Sequence, residues 1–307
     1  MNKSLVIIAG PTAVGKTDLA IRLALALRAE IINADSRQVY REMRIGTAVP
    51  ADADLKRVKH HCLLHKSIHE QYNASMYELE VTDLLSVLFS KADAVVMAGG
   101  SGMYINAVCQ GIDDIPTVDP LVRKRLRYEF ENGGLALLQA RLRQADPVYF
   151  SRVDLNNPNR ILKALEITEM TGRPYSSFLT GKSKPREFNI MKVGLDRPRN
   201  EIHQRINSRV DAMLEAGLVS EARGLYPFRQ LNALNTVGYK ELFDYFDGKL
   251  SLDMAVEQIK GHTRQYARRQ LTWFRRDQHM HWFHPEHTGA VLAFIQTEME
   301  KLWNCPK

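Results

Sequence analysis

Cysteine is scarce in this chain and badly placed for cross-linking. Its 307 residues include three, Cys62, Cys109 and Cys305, far apart and without C-x-x-C spacing. That rules out a disulfide framework and offers no zinc-ribbon pattern, so free thiols in a reducing compartment are expected. No apolar run approaches the roughly 20 residues needed to span a bilayer. The apolar start is too brief for a signal peptide and passes straight into a glycine-rich turn. A cytoplasmic protein with no membrane association is the expectation. Repeats and low-complexity tracts are also missing, which leaves an ordinary globular chain with 45% hydrophobic and 25% charged residues. Acidic residues fall short of basic ones, 35 against 42, for a net charge of +7. The excess suits a polyanionic partner, although net charge alone is weak evidence for one.

What is present begins with Gly10-Pro11-Thr12-Ala13-Val14-Gly15-Lys16-Thr17. It fits the phosphate-loop pattern G-x-x-x-x-G-K-[ST] without a mismatch. The run Leu5 to Ala9 before it is short, apolar and partly β-branched, as a buried parallel strand should be. Asp18 to Ala29 behind it has Leu, Ile and Ala at helical spacing. Strand, glycine turn and helix aim backbone N–H groups at one point, at the positive end of a helix. Lys16 adds a mobile cation, and the Thr17 hydroxyl can hold Mg²⁺. This is a polyphosphate site.

Glu30 to Ala34 reads as a second strand, ending in Asp35-Ser36-Arg37-Gln38-Val39-Tyr40. In a parallel sheet, ligands sit beyond the carboxyl ends of the strands. Asp35 is thereby placed beside the phosphate loop, to meet metal through water or to accept a proton; a turn or N-cap aspartate is the structural alternative. From Val58 to Tyr72, His61, His65 and His69 would share one face of a helix, which invites a metal. With Leu63, Leu64 and Ile68 between them and no carboxylate at ligand spacing, a structural role is preferred. Ala94 to Ala98 is a further buried strand running into Gly99-Gly100-Ser101-Gly102. A phosphate-loop hydrolase ends that strand in an aspartate for Mg²⁺, so the glycine counts against a mechanical ATPase or a GTPase.

From about Asp113 to Glu187 strand signals fade. Pro116, Pro120, Pro147 and Pro158 punctuate helical segments rich in arginine. This predicts a helical insertion over 113–187 within a core of 1–112 and 188–307. The expected fold class is α/β: a parallel sheet of phosphate-loop NTPase type, flanked by helices, with a helical insertion domain. Phe188 to Leu195 returns to the sheet, and Asn200 to Ala216 reads as a helix closed by Gly217. Arg205 and Arg209 lie one turn apart on it, suited to clamping phosphate. The last long helix, about Leu252 to Arg276, carries Lys260, Arg264, Arg268 and Arg275 with Tyr266, Trp273 and Phe274 interleaved. Basic charge with aromatics suits nucleic acid, and an amphipathic core helix is the structural alternative.

Together these stretches resemble the tRNA dimethylallyltransferase family, also called tRNA isopentenyltransferases, in its short bacterial-type form. The matching pieces are GPTAVGKT at Gly10, NADSRQVY at Asn33, AGGSGMY at Ala98, NPNRILKALEI at Asn157, RINSRVDAML at Arg205, NTVGYKEL at Asn235 and TRQYARRQLTWFRR at Thr263. The chain departs from the usual pattern at Ser101 (threonine), Lys163 (arginine), Asn157 (aspartate) and Lys59 (proline).

The resemblance implies transfer of a dimethylallyl group from dimethylallyl diphosphate to the exocyclic amine of the adenosine 3′-adjacent to the anticodon; Mg²⁺, held by Thr17, is the expected cofactor, and a monomer is taken as the default form. The expected catalytic set is Asp35, Thr12, Lys16 and Arg209, with Asp35 as the base because topology makes it the acidic group nearest the loop, and with Thr12 and Ser101 lining the pocket by resemblance. The donor diphosphate is expected on Gly10, Pro11, Thr12, Ala13, Val14, Gly15, Lys16, Thr17, Ser101 and Arg209. Contacts to the tRNA anticodon stem-loop are expected from Asp35, Ser36, Arg37, Gln38 and Ser101, and from Arg123, Asn159, Arg160, Ile161, Leu162 and Lys163 in the insertion. Thr236, Gly238, Tyr239, Lys240 and Arg264 complete that set, and Lys260 is expected to join it. A small-molecule kinase also combines a phosphate loop with an aspartate after the second strand, but leaves the insertion and the basic aromatic helix unexplained. A nucleic-acid-dependent NTPase is disfavoured by the missing strand-end aspartate, and a pure binding module by the intact Lys16-Thr17.

Overall fold

The computed structural model describes residues 3–304, so the Cys305 thiol lies outside them. The chain divides into two compact units, Met1–Gln110 with Pro185–Lys307, and Gly111–Lys184. In chain order the first unit holds β1 (Ser4–Ala9), α1 (Lys16–Leu27), β2 (Ile31–Asn33), α2 (Asp52–Arg57), β3 (His60–His61), α3 (Ala74–Phe89), β4 (Ala94–Gly99) and α4 (Gly102–Gln110). The second unit supplies α5 (Pro120–Ala145), α6 (Pro147–Phe150) and α7 (Pro158–Thr171). The first unit resumes with β5 (Asn189–Leu195), α8 (Arg199–Glu215), α9 (Leu218–Leu225), α10 (Tyr239–Phe246), α11 (Leu252–Phe274), β6 (Met280–Phe283) and α12 (Thr288–Asn304).

The strands form one sheet in the order β3-β2-β4-β1-β5-β6, every pair parallel. Both faces are covered, and the side-chain period of two sorts the apolar residues between them. Leu5, Ile7, Val95 and Met97 join the core on one face, while Val6, Ile8, Ala94 and Val96 join the core on the other. Each of these side chains except Ala94 contributes roughly 1.5–3 kcal/mol by leaving water. Ile7→Ala would cost about 2–5 kcal/mol because the site cannot collapse around the loss. The register pairs Ala9 with Gly99 and Asn33 with Ala98. The loops that follow β1, β2 and β4 therefore emerge side by side.

Three features escaped the sequence pattern. β6 and α12 follow the expected last helix, and β3 is a two-residue edge strand beside β2. The condition for a shared face of His61, His65 and His69, a helix through this segment, is not met. Cys62 and Leu64 take left-handed backbone angles, φ 56° and 52°, which no α-helix accommodates. The three imidazoles go separate ways: His61 Nε2 lies 2.5 Å from Glu30 Oε2, His65 packs edge-on to Tyr72, and His69 edge-on to Phe228.

The helical unit begins at Gly111 and ends at Lys184, where 113 and 187 were expected. Its prolines mark helix starts. Asp119, Asp146 and Asn157 accept backbone N–H bonds as N-caps, and Pro120, Pro147 and Pro158 follow at the first helical position. Asn157 thus caps α7 as an aspartate would. α5 is broken at Gly134, φ 68° and ψ −172°. Leu126, Leu138, Leu142, Ile161, Leu162 and Leu165 form the core of this unit. Ile161 and Leu162 are correspondingly removed from the expected RNA-contacting side chains: both face that core, and only their backbones could be reached. Arg123 is also otherwise engaged, Nε and Nη2 each 2.9 Å from the buried Glu166 carboxylate. Arg125 and Arg141 pair with Glu169, and Arg141 also with Glu129. Asn159 and Arg160 are exposed, and Lys163 is half-buried, its ammonium pushed to a lower pKa by desolvation.

Candidate active site

The phosphate loop is built by close approaches that only small residues allow. A Cβ on Gly10 would lie 2.8 Å from the Leu195 carbonyl oxygen at the end of β5. A Cβ on Gly99 would lie 2.0 Å from the Ala34 oxygen, so β4 and the chain leading to Asp35 touch backbone to backbone. The loop's carbonyls are pinned from α8 and the turn before it. Arg205 Nε donates to Ala13 O at 2.7 Å, and Arg197 Nε to Val14 O at 3.0 Å. Lys16 Nζ donates to the carbonyls of Gly10 and Pro11 at 3.0 and 2.8 Å. Burial lowers its pKa to about 7, the Arg209 guanidinium pushes the same way, and Asp35 partly opposes them. An ammonium so placed gains from an arriving anion.

Arg209 is itself mostly buried, and desolvation with the Arg205 charge lowers its pKa. Its Nη1 sits 3.5 Å from Thr12 Oγ1. Asp35 divides its two oxygens. Oδ1 accepts the backbone N–H of Arg37 at 2.9 Å and of Gln38 at 3.4 Å, an Asx turn. Oδ2 has no hydrogen-bond partner among the described residues. The turn and base readings therefore apply to different oxygens of one carboxylate.

Two cavities meet here. The smaller, about 270 Å³, is lined by Lys16, Thr17, Arg205 and Gln270. The larger, about 660 Å³, is lined by Ser36, Arg37, Thr236, Gly238, Lys240, His262 and Arg269. Thr12, Asp35, Arg209 and Tyr266 line both. The first compartment gathers Lys16, Arg205 and Arg209, with Asp18, Asp35 and Asp54 also on its walls, and faces a helix N-terminus. The second is mixed polar and apolar and of a size that holds a small organic group.

The family model for IPP transferase matches residues 38–277, a span that starts after the phosphate loop and after Asp35. The chain belongs to the IPP transferase family. The tRNA dimethylallyltransferase 2 of Parabacteroides distasonis is 52% identical over 96% of this chain and 99% of that protein. The tRNA dimethylallyltransferase 1 of Bacteroides fragilis is 48% identical over 97% and 99%. The crystal structure of the tRNA isopentenylpyrophosphate transferase of Bacillus halodurans superposes with a TM-score of 0.72 at 34% identity, covering 98% of each chain. A eukaryotic dimethylallyltransferase, captured acting on tRNA, superposes with a TM-score of 0.73 at 26% identity over 88% of this chain and 69% of that one.

In this member of the family the residues expected at the site separate into three groups. Thr12, Lys16, Thr17, Asp35 and Arg209 share the cavity walls. Ser36, Arg37, Gln38, Thr236, Gly238 and Lys240 also line one or both. Others are drawn elsewhere by hydrogen bonding. Ser101 lines neither cavity: its nearly buried hydroxyl accepts the Ser36 N–H at 2.9 Å and braces the Asp35 turn. Tyr239 must be corrected from RNA contact to core residue, fully buried, with its hydroxyl donating to Glu221 at 2.7 Å and its ring against Gly46. Arg264 donates to Asn207 Oδ1 at 2.8 Å and faces a different groove. Lys260 is paired with Asp211 at 2.8 Å.

Gln270 is the residue that pattern reading missed. Its buried amide accepts the Thr12 N–H at 2.8 Å and donates to Gly100 O at 2.9 Å, tying the phosphate loop to the turn after β4. Only its place in the RRQLTWF stretch hinted at a role. Tyr266 lies one helical turn earlier, and desolvation pushes its phenol up to about 12.

Proposed function

We infer that the chain transfers the dimethylallyl group of dimethylallyl diphosphate to the exocyclic amino nitrogen of the adenosine 3′-adjacent to the anticodon in tRNA, releasing diphosphate. The observation that carries the assignment of roles is the shared wall: Thr12, Asp35 and Arg209 stand where the anion compartment opens into the larger one. In this reading the diphosphate lies on the loop amides and Lys16, with Arg205 and Arg209 at its side. The target base, taken out of its stack, enters the larger cavity.

An allylic carbon–oxygen bond breaks readily once the charge gathering on the leaving oxygens is met by fixed cations and amides. The amine is a poor nucleophile because its lone pair is delocalised into the ring. As its bond to carbon forms, Asp35 Oδ2 accepts the proton it sheds. A neutral substituted amine and free diphosphate result. The Thr17 hydroxyl is a hard oxygen donor on the wall of the phosphate compartment and suits Mg²⁺ alongside substrate phosphates. When bound, the ion would add positive charge at the leaving group. The exposed Asn159 and Arg160, with Lys163, are assigned to the tRNA backbone, and a cytoplasmic monomer completes the reading.

The discriminating experiment incubates the protein with Mg²⁺, unmodified tRNA and either labelled dimethylallyl diphosphate or labelled ATP. Label is expected in tRNA from the allylic donor alone. Transfer of ATP phosphate to any acceptor, with none of the allylic group, would replace this reading with a kinase.

A further inference from the structure

The geometry points to a structural zinc site at the free edge of the sheet, formed by Cys62, His65 and Glu80. Their ligand atoms, Sγ, an imidazole nitrogen and a carboxylate oxygen, all lie within 4.8 Å of one another. Cys62 and His65 have the C-x-x-H spacing of one short loop, while Glu80 comes from the middle of α3. The set is independent of the phosphate-loop cavities and lines neither of them.

Three further observations point to a ligand there. His65 Nδ1 is buried and makes no hydrogen bond. Nε2 already faces Glu80 Oε1 at 2.8 Å, so Nδ1 is the nitrogen left without a partner. A buried imidazole left in that state is unfavourable unless something else occupies its lone pair. Second, the loop is strained where it carries the ligands: Cys62 and Leu64 both hold left-handed backbone angles without being glycine. Third, the carboxylate is already oriented. Glu80 Oε2 takes the Lys66 ammonium and the Tyr72 hydroxyl, each at 3.0 Å, while Oε1 faces Cys62 Sγ at 4.0 Å. Such outer partners are what fix a ligating carboxylate.

The donor chemistry selects the ion. A thiolate with an imidazole and a carboxylate suits Zn²⁺ and its borderline-soft relatives, not Mg²⁺ or Ca²⁺. His65 and Glu80 are partly exposed, which leaves room for water as a fourth ligand. A thiol must lose its proton to ligate, so metal binding weakens as pH falls. The loop also explains a purpose. Leu64 and Lys66 donate backbone N–H bonds to Gln38 O and Val39 O, and Asn33 Nδ2 donates to Cys62 O. Clipping the loop to α3 therefore steadies both flanks of Asp35.

Cobalt substitution tests this on the full chain, stripped with a chelator and titrated with Co²⁺. One equivalent should produce a near-ultraviolet thiolate-to-cobalt band, which Zn²⁺ abolishes by displacement and Mg²⁺ does not. Zn²⁺ should also raise the Tm. Cys62→Ser should remove the band, and Glu80→Gln, at a partly exposed position that tolerates change, should weaken Co²⁺ binding at least about tenfold. Absence of the band in the unsubstituted chain, with Tm indifferent to Zn²⁺, would mean that Lys66 alone neutralises Glu80 and would overturn the site. A band that survives Cys62→Ser would overturn it equally, by locating the thiolate elsewhere.

Discussion

Asp35 and Lys16 are the two groups whose protonation the proposed reaction uses, and each is testable alone. Asp35→Asn keeps an oxygen for the Asx turn, so the fold around it should survive. Losing the base should lower the single-turnover transfer rate by about 10² to 10⁴-fold while leaving tRNA affinity near normal. A variant that transfers at close to the native rate would remove Asp35 from the role. Lys16 makes a pH prediction. Its pKa in the empty site is about 7, against an ordinary 10.5. A bound diphosphate favours the ammonium, so the pKa in the complex is higher than in the free protein. Below about 7 the lysine is charged in both states and binding is indifferent to it. Above that value binding must take up a proton, and affinity falls as pH rises, at most about tenfold per unit. Calorimetry with inorganic diphosphate near pH 8, in buffers of different ionisation enthalpy, should register an uptake of about one proton that Lys16→Met abolishes. Equal uptake in both proteins would sink the assignment.

Among the elements, α11 does what periodicity hides. The sequence pattern makes it a basic aromatic helix for nucleic acid, whereas its best-defined task is internal: Gln270 joins Thr12 to Gly100. Gln270→Glu can still accept from the Thr12 amide but cannot donate to Gly100. That leaves a buried carbonyl unpaired, at a cost of about 1–3 kcal/mol. Unfolding by denaturant should show that loss, and the transfer rate should fall while the donor's KM rises, because the new carboxylate stands on the wall of the diphosphate compartment. Native rates would confine Gln270 to the scaffold. What was legible follows from period and from local chemistry. β1, α1, β4, β5, α8 and α11 stood out because each is a long apolar or amphipathic run or is fixed by a motif. β3 was illegible because two histidines at a sheet edge carry no apolar signal, and their neighbours' positive φ angles leave no trace in composition. Ser101, Tyr239 and Arg123 were placed by motif, but a motif does not record which way a side chain turns. Tyr239 turns to Glu221, and Arg123 to Glu166.

For the molecule as a whole, the net charge of +7 overstates what is free to meet RNA. Lys260 is 2.8 Å from Asp211 and 3.5 Å from Glu257, and those partners hold its pKa above the ordinary value. Arg123, Arg125 and Arg141 are likewise spent on glutamates of the helical unit. Cations already neutralised by the protein displace few counterions from a phosphate backbone, so they add little to the salt dependence of binding. Arg160 is exposed, and neither it nor Lys163 forms an ion pair among the described residues. The slope of log affinity for tRNA against log salt should therefore fall by roughly 0.7 to 0.9 for each of Arg160→Ala and Lys163→Ala if each meets a phosphate. Lys260→Ala should leave the slope unchanged, the reverse of what its place on a basic helix suggests. Inorganic diphosphate affinity should be indifferent to all three substitutions, because none lines the phosphate-loop cavity. A slope that drops for Lys260→Ala but not for Arg160→Ala would move the RNA contact away from the helical unit and onto α11.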